Sequence, residues 1–507
     1  MRGAVAQKLG ESAPEEGSVA IDLDAAALAA NEGKYLWITA DIKADADEWA
    51  AVDAAIHSIS YVGAAGDVSC DLTAKGNPDG VMRICKRQQF LWTASQSNAK
   101  YYRIPTIINT ADGGIVAFAD DRYDNTQDLG KVASGAAGNH KIDVVMRKSV
   151  DGGATWDEPR VIAAGDGTSA AACGYGDPAV VRTLGGKLIC LMAAGNKSFP
   201  AGMLHMAYSE STDNGLTWST PTDIYSAINK SGLTITSAFT SSGKGVTFSN
   251  GRVAFALNAT VGGTTNEYIL YSDNADTATP SWIIAPRMAC ASADESKLEI
   301  MNDNSLLLSV RQGGWNSMAN RAYARTTGDA SGTGIRNWGA KKQWPDLNAN
   351  GCNADILYYS RITDGAGALD VMLHTIVKTF QTYRRDLRLY MSLDQGQSWR
   401  EIIQLQPGYA AYSSMQRLPD GDLAIIFEDG SLGNQDKMDC YAINYVVLSR
   451  ELINSFAESP DAISECAVTV TGNKSAEIYN LSGQRLNTPP DGGIYIRNGR
   501  KVFAPQR

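Results

Sequence analysis

Hydrophobic positions alternate with polar ones in short runs along most of this chain, and each run follows a turn rich in Gly, Asn or Asp. Gly114-Ile-Val-Ala-Phe-Ala119, Lys187-Leu-Ile-Cys-Leu-Met192 and Asp422-Leu-Ala-Ile-Ile-Phe427 are examples. A period of two bounded by turn residues predicts β-strands. Upstream, Tyr35-Leu-Trp-Ile-Thr-Ala40 and Val81-Met-Arg-Ile-Cys85 read the same way, with turns at Gly63 to Gly66 and Gly76 to Gly80. A small β-sandwich is expected over residues 17–93, with a short helix over Asp45 to Ile59 as the alternative for that stretch. Downstream, Ala467-Val-Thr-Val-Thr471, Ala476-Glu-Ile-Tyr479 and Gly493-Ile-Tyr-Ile496 predict a short β-module over 463–507. About 40 residues is small for an independent domain, so this module either docks or serves as a tag.

The turns repeat. Ser149-Val-Asp151-Gly-Gly153-Ala-Thr155-Trp156, Ser211-Thr-Asp213-Asn-Gly215-Leu-Thr217-Trp218 and Ser392-Leu-Asp394-Gln-Gly396-Gln-Ser398-Trp399 share the form Ser-x-Asp-x-Gly-x-Ser/Thr-Trp, known as an Asp-box. Asp can accept backbone N–H bonds inside the turn, Gly supplies a positive φ, and Trp folds back as an apolar anchor. Weaker copies stand at Ser272-Asp273…Ser281-Trp282 and Thr327-Gly-Asp329…Asn337-Trp338. Starts at 149, 211, 272, 327 and 392 recur about every 60 residues, a length suited to a four-stranded blade. The expected fold is therefore all-β: a six-bladed β-propeller over residues 95–452, with the N-terminal β-sandwich and the C-terminal β-module at its ends. The Asp-boxes are expected to build turns away from the pocket and to carry no catalysis.

Composition narrows the function. Forty-five Lys and Arg against 55 Asp and Glu give a net charge of −10, which argues against a nucleic-acid binder. A local arginine cluster for a small anionic substrate remains compatible with that balance. Eight scattered cysteines without a Cys-x-x-Cys pair suggest neither zinc nor a disulfide framework. Four distant histidines make a metallohydrolase unexpected and leave a Ser-His-Asp triad open. No run approaches the ~20 apolar residues of a membrane helix. Met1 to Gly10 shows no apolar leader core, so the protein is expected to be cytoplasmic or to have had a leader removed.

Tyr102-Arg103-Ile104-Pro105, then Phe118-Ala-Asp-Asp-Arg122 and Asp128, resemble the entry to the catalytic propeller of sialidases (neuraminidases). Further matches follow in that family's order: Asp177 in Gly176-Asp-Pro-Ala179, Glu295 ahead of Arg311, Arg384 ahead of an Asp-box, Tyr412 in Ala411-Tyr-Ser-Ser414, and Glu428 ending a strand. The resemblance covers residues from about 100 to 450 and is Bacteroidetes-like in its accessory segments. It implies that Arg103, Arg311 and Arg384 bind the substrate carboxylate, for which three forked guanidinium groups are suited. Glu428 would orient Arg103. Arg122 would contact hydroxyl or acyl oxygens, and Asp177 would accept from the acyl N–H or a ring hydroxyl.

A carbon that already bears a carboxylate repels an anionic nucleophile but not a phenol, and sialidases accordingly use tyrosine. Here that residue would be Tyr412, with Glu295 as its base and Asp128 as general acid and then base. Glu299 competes with Glu295, and Arg385 with Arg384, because a register change would exchange them. The implied activity is a retaining exo-α-sialidase acting on sialylated glycans, with no metal or organic cofactor. A trans-sialidase, intermolecular or intramolecular, would use the same residues, with Trp315 a candidate rim aromatic. A sialic-acid lectin or a propeller scaffold would dispense with the catalytic groups. The tail Ile478-Tyr-Asn-Leu-Ser-Gly-Gln-Arg485 resembles C-terminal modules of secreted Bacteroidetes proteins, so a secreted, periplasmic or cell-surface location is expected.

Overall fold

The computed structural model describes residues 82–94, 100–314, 317–364, 367–379, 384–432 and 440–458. It also describes shorter stretches at 20–21, 42–43, 45–52, 55–63 and 66–72, and at 478–479, 485–486, 493–497 and 500–504. The chain divides into two compact units, Met1–Pro460 and Asp461–Arg507.

The first unit is all-β in a propeller arrangement. Its first sheet runs Lys100–Asn109, Ile115–Tyr123, Ile142–Ser149, Arg160–Ala163, each strand antiparallel to the last. The second continues with Gly174–Arg182, Leu188–Gly195, Met206–Ser211 and Thr222–Asp223, and gains Gly243–Lys244 beside its innermost strand. The third holds Ile235–Thr240, Val253–Val261, Thr264–Ser272 and Ile283–Ile284, and the fourth Ser296–Ile300, Leu306–Val310, Met318–Arg325 and Lys342–Asn350. The last sheet has seven strands, ordered Asp355–Asp364, Gly367–Val377, Arg385–Ser392, Arg400–Arg417, Leu423–Asp429, Ala442–Leu448 and Arg87–Trp92.

The core lies between sheets rather than within one layer. Phe118 and Met146 of the first sheet pack with Val180 and Met192 of the second, and Leu191 of the second packs with Leu257 of the third. Ile269 meets Leu308, Leu307 meets Ile356, and the ring closes where Ile426 and Ile443 pack on Ile107 and Ile115. Arg87–Trp92 pairs with Ala442–Leu448, so a segment upstream of residue 95 belongs to this closure.

The Asp-boxes form the turns their chemistry dictates. In the first, Ser149 Oγ donates to Asp151 Oδ1 and accepts from Gly153 N, while Asp151 accepts from Thr155 N and Oγ1. The boxes at 211 and 392 repeat this set. Gly153 has φ +84°, and a Cβ there would lie 2.3 Å from the Tyr445 ring. The anchors join neighbouring sheets: Trp156 meets Tyr445, Trp218 meets Phe118, Trp282 meets Tyr208 and Trp399 meets Trp344. The box at 272 departs from the expected register. Asn274, not Asp273, takes the central role by accepting from Ser272 Oγ and Ser281 N, and Asp273 pairs with Arg252 instead.

Upstream, where a β-sandwich was expected, the described residues form two strand pairs, Ala51–Val52 with Met82–Arg83 and Ser58–Gly63 with Gly66–Asp71. Among the described residues of the stretch from Asp45 to Ile59 no helix is formed. Trp49 N and Ala50 O bond across to Ile84, which commits that backbone to strand pairing. The run expected at residues 35–40 lies outside the described residues. In the second unit Ile478–Tyr479 pairs with Arg485–Leu486 and Gly493–Arg497, which pairs with Arg500–Ala504. The run 467–471 lies outside the described residues.

The described cysteines are free thiols, five of them buried. No helix among the described residues is long and apolar enough to cross a membrane.

Candidate active site

Three strands break their ladders at the points where site residues stand. The register shifts between Arg103 and Thr106, between Gly176 and Ala179, and between Ala410 and Ser413. A bulge re-aims side chains that a regular pleat would send elsewhere. Ile104 at φ +57° and Asp177 at φ +55° adopt the left-handed region that non-glycine residues avoid, a cost held in place by surrounding contacts.

Glu428 is fully buried and satisfies three donors. Its Oε1 accepts from Arg103 Nε at 2.6 Å and Ile104 N at 2.8 Å, and its Oε2 accepts from Tyr412 N at 3.1 Å. One carboxylate thus fixes an arginine and the backbone of a tyrosine carried on different strands. The Tyr412 hydroxyl donates to Glu295 Oε2 at 2.6 Å, and Arg311 Nη1 donates to both, at 2.5 Å to Glu295 and 3.2 Å to Tyr412. Arg103 and Arg384 stand over the Tyr412 ring, 5.6 and 5.2 Å from its centroid. Burial, and then the Glu295 charge, push the Tyr412 phenol well above its ordinary pKa against the pull of Arg311 and Arg384. In the free protein it is therefore a neutral donor.

The competing residues differ in their contacts. Glu299 accepts from its neighbour Ile300 N, and burial raises its pKa to about 7. Arg385 lies over Tyr409. It is Glu295 and Arg384 that lie against Tyr412.

Arg122, expected at hydroxyl or acyl oxygens of the substrate, is held in the free protein by protein acceptors. It is 1 % exposed, with Nε and Nη2 on Asp120 and Nη1 on Asp128 Oδ1 at 2.9 Å and Thr126 O at 2.7 Å. Through these bonds it holds Asp128 and the backbone of Thr126. Asp128 itself keeps 64 % of its side chain open. Desolvation in the cleft works to raise its pKa, but the Arg122, Arg103 and Lys131 charges prevail and bring it to about 2. Asp177 is tied through its backbone N to Asp120 Oδ1. Burial, and then the Asp120 and Glu295 charges, push its carboxyl well above the ordinary range.

Asp120 and Asp294 were not singled out from the sequence. Asp120 orients Arg122 and Asp177, and Asp294 Oδ2 lies 3.2 Å from Arg311 Nε. Each adjoins or lies near a chosen residue, which was the available signal. Trp315 lies outside the described residues. Among the described residues no group of three or more His, Cys, Asp and Glu is placed to hold a metal ion.

The profile of the BNR repeat-like domain family matches residues 128–425, more than half of the chain. A sialidase of Micromonospora viridifaciens is 26% identical over 353 residues, 65% of this chain, and the chain spans about half (50%) of that relative's length. A sialidase of Bacteroides fragilis is 25% identical over 417 residues, covering 78% of this chain and 71% of that protein. Among solved structures, the Hadza microbial sialidase Hz136 has a TM-score of 0.58 at 21% identity, covering 80% of this chain and 75% of its own. The intramolecular trans-sialidase of Ruminococcus gnavus has a TM-score of 0.56 at 15% identity, with 72% of this chain and 98% of that one covered. At those identities the structural likeness speaks for the fold.

Proposed function

Because the chain belongs to the sialidase family, with its BNR repeat-like domain, we propose that it is a retaining exo-α-sialidase releasing terminal sialic acid from glycoconjugates. The observation that carries this reading is the Tyr412 hydroxyl, hydrogen-bonded to Glu295 at 2.6 Å with three arginines gathered about the same ring. Arg103, Arg311 and Arg384 take the substrate carboxylate, which places the anomeric carbon over the phenol. Glu295 removes the phenolic proton as oxygen attacks, in keeping with a nucleophile that needs a base within hydrogen-bond reach. Asp128 protonates the departing glycosidic oxygen, then deprotonates the water that releases the sugar from Tyr412.

Asp128 is ionised in the free protein, so acid function requires substrate to change its surroundings. A bound carboxylate adds negative charge among the arginines and displaces water, and both effects raise the Asp128 pKa. Asp177 meets the acyl N–H or a ring hydroxyl.

The same reading gives the propeller six blades. The seven-stranded sheet then counts as two four-stranded units sharing the 18-residue strand Arg400–Arg417. Packing of Leu373 and Leu389 on one side against Ile425 and Val446 on the other supports that division. Sialylated glycoconjugates are the partners, and an exported or cell-surface location follows from where they occur. The test is a sialic acid fluorinated at C2 and C3, which accumulates the glycosyl-enzyme. Mass spectrometry should find the sugar on the Tyr412 peptide, and the Tyr412→Phe variant should carry none. A label on Glu295 or Asp128 instead would refute the assignment.

A further inference from the structure

His140 is 3 % exposed beneath the segment that carries Asp128, and both of its ring nitrogens meet backbone carbonyls. Nε2 lies 2.9 Å from Tyr123 O and Nδ1 3.3 Å from Asp128 O. Carbonyl oxygens only accept, and a neutral imidazole has one N–H. Neutral His140 can therefore satisfy one of the two, and the shorter contact keeps the proton. The Asp128 carbonyl then faces a nitrogen lone pair.

The rest of the segment is held independently of this ring. Arg122 donates to Thr126 O, Asn125 Oδ1 accepts from Gln127 N, and Leu129 is buried with Ile142, Ala193 and Phe239. Gly130 sits so tightly on Lys197 and Ser198 that a Cβ there would lie 2.2 Å from Ser198 N. His140 is the side chain that ties the Asp128 peptide itself.

We propose that His140 is a proton-operated positioning residue for the general acid. With both nitrogens protonated it holds the Asp128 peptide against the end of the Ile115–Tyr123 strand, and on losing a proton it lets that peptide go. The proposal rests on the reading of Asp128 as the acid.

The groups around the ring set where the change falls. Arg122 and Asp128 face it with opposite charges, Lys141 and Asp143 follow it in the chain, and the Cys173 thiol donates to its carbonyl at 3.8 Å. Burial lowers the His140 pKa below its ordinary 6.5 and the Arg122 charge adds to that, while the two carbonyls and Asp128 oppose both. The latch thus closes only below the ordinary 6.5 and is open near neutrality.

The experiment compares two substrates over pH 4 to 8. Sialyllactose has a poor leaving group that needs the acid, whereas an aryl sialoside expels a stable phenolate without it. His140→Phe should lose on the order of tenfold in kcat/KM on sialyllactose at pH 5, as expected for one lost tie to the acid. It should lose less than about twofold on the aryl substrate, and the parent's ionisation below pH 6.5 should vanish from its sialyllactose profile. Equal losses on both substrates would make His140 merely structural and overturn the proposal.

A second measurement needs neither a variant nor turnover: nitrogen NMR of the four histidines in the unmodified protein. His140 should show two protonated nitrogens at pH 5 and one near pH 8, with the Leu129 amide shifting in step. A single protonated nitrogen throughout would also overturn it. A parent that turns over neither substrate would count against the sialidase reading, and the NMR result would still decide the latch.

Discussion

Replacing Glu428 with Gln changes one heavy atom and tests how Tyr412, the proposed nucleophile, and Arg103, proposed to bind the carboxylate, are coupled. The native carboxylate accepts from Arg103 Nε, Ile104 N and Tyr412 N in a fully buried position. If the amide oxygen of the introduced glutamine takes the place of Oε1, it keeps the first two donors. Its NH2 group then meets Tyr412 N–H, donor against donor. Orphaning that backbone group costs about 1–3 kcal/mol, and removing the charge from the bonds to Arg103 costs about 1 kcal/mol more. The total is about 3 kcal/mol, below the about 3–5 kcal/mol for breaking a buried pair outright, because the shape survives. If the same loss is felt when the sugar reaches Tyr412, kcat/KM falls about 100-fold at about 1.4 kcal/mol per tenfold. Calorimetry should report a lower melting temperature, and kcat/KM on sialyllactose should fall by that factor. In a cycle with Arg103→Met, the double variant should be little slower than Arg103→Met alone. A Glu428→Gln enzyme within about threefold of the parent, or losses that multiply in the double variant, would refute the coupling.

Other consequences are readily checked. Gly153→Ala places a Cβ 2.3 Å from the buried Tyr445 ring at φ +84°. It should cost roughly 2–5 kcal/mol of stability, measured by thermal unfolding, while the surviving folded enzyme keeps its kcat. Glu267 is fully buried, and burial raises its carboxyl to about 8 against the pull of Asn258 and Ser241. The folded chain then holds a proton that the unfolded chain gives up near its ordinary 4.5, so stability should fall by about 1.4 kcal/mol per pH unit between those values. Glu267→Gln should flatten that decline in unfolding scans from pH 5 to 8, and an unchanged slope would contradict the assignment. Asp128→Asn should lose about 100-fold or more on sialyllactose yet retain most of its activity on an aryl sialoside. Comparable losses on both would remove its role as acid.

What the sequence revealed and what it hid have separate physical causes. The turns at 149, 211 and 392 were legible because their chemistry is local, with Ser, Asp and Gly bonded inside eight residues. The copy at 272 was misaligned by one residue because Asn274 can accept the same bonds as Asp, and Asp273 beside it looks the part. The arginine, tyrosine and glutamate positions came from an ordered resemblance, and the structure brings Arg103, Arg311, Arg384, Glu295, Tyr412 and Glu428 together. The protein partners of Arg122 were not legible. Its bonds to Asp120 and Asp128 depend on burial, which local sequence does not encode. The upward shift of the Asp177 carboxyl was hidden for a similar reason. It arises from burial and then from Asp120 and Glu295, remote in sequence and gathered only by the fold. The tie between His140 and the Asp128 carbonyl involves backbone, so no choice of residue type announces it.

The central claim is that Tyr412 attacks the anomeric carbon and water then displaces it, two inversions at one centre. Proton NMR of an α2-3-linked sialyllactose during the first turnovers tests this directly. The account predicts that free sialic acid appears first as the α anomer and only later equilibrates. Release as the β anomer would mean a single displacement and contradict the tyrosine mechanism, and an anhydro or transferred sugar in place of the free acid would contradict hydrolysis.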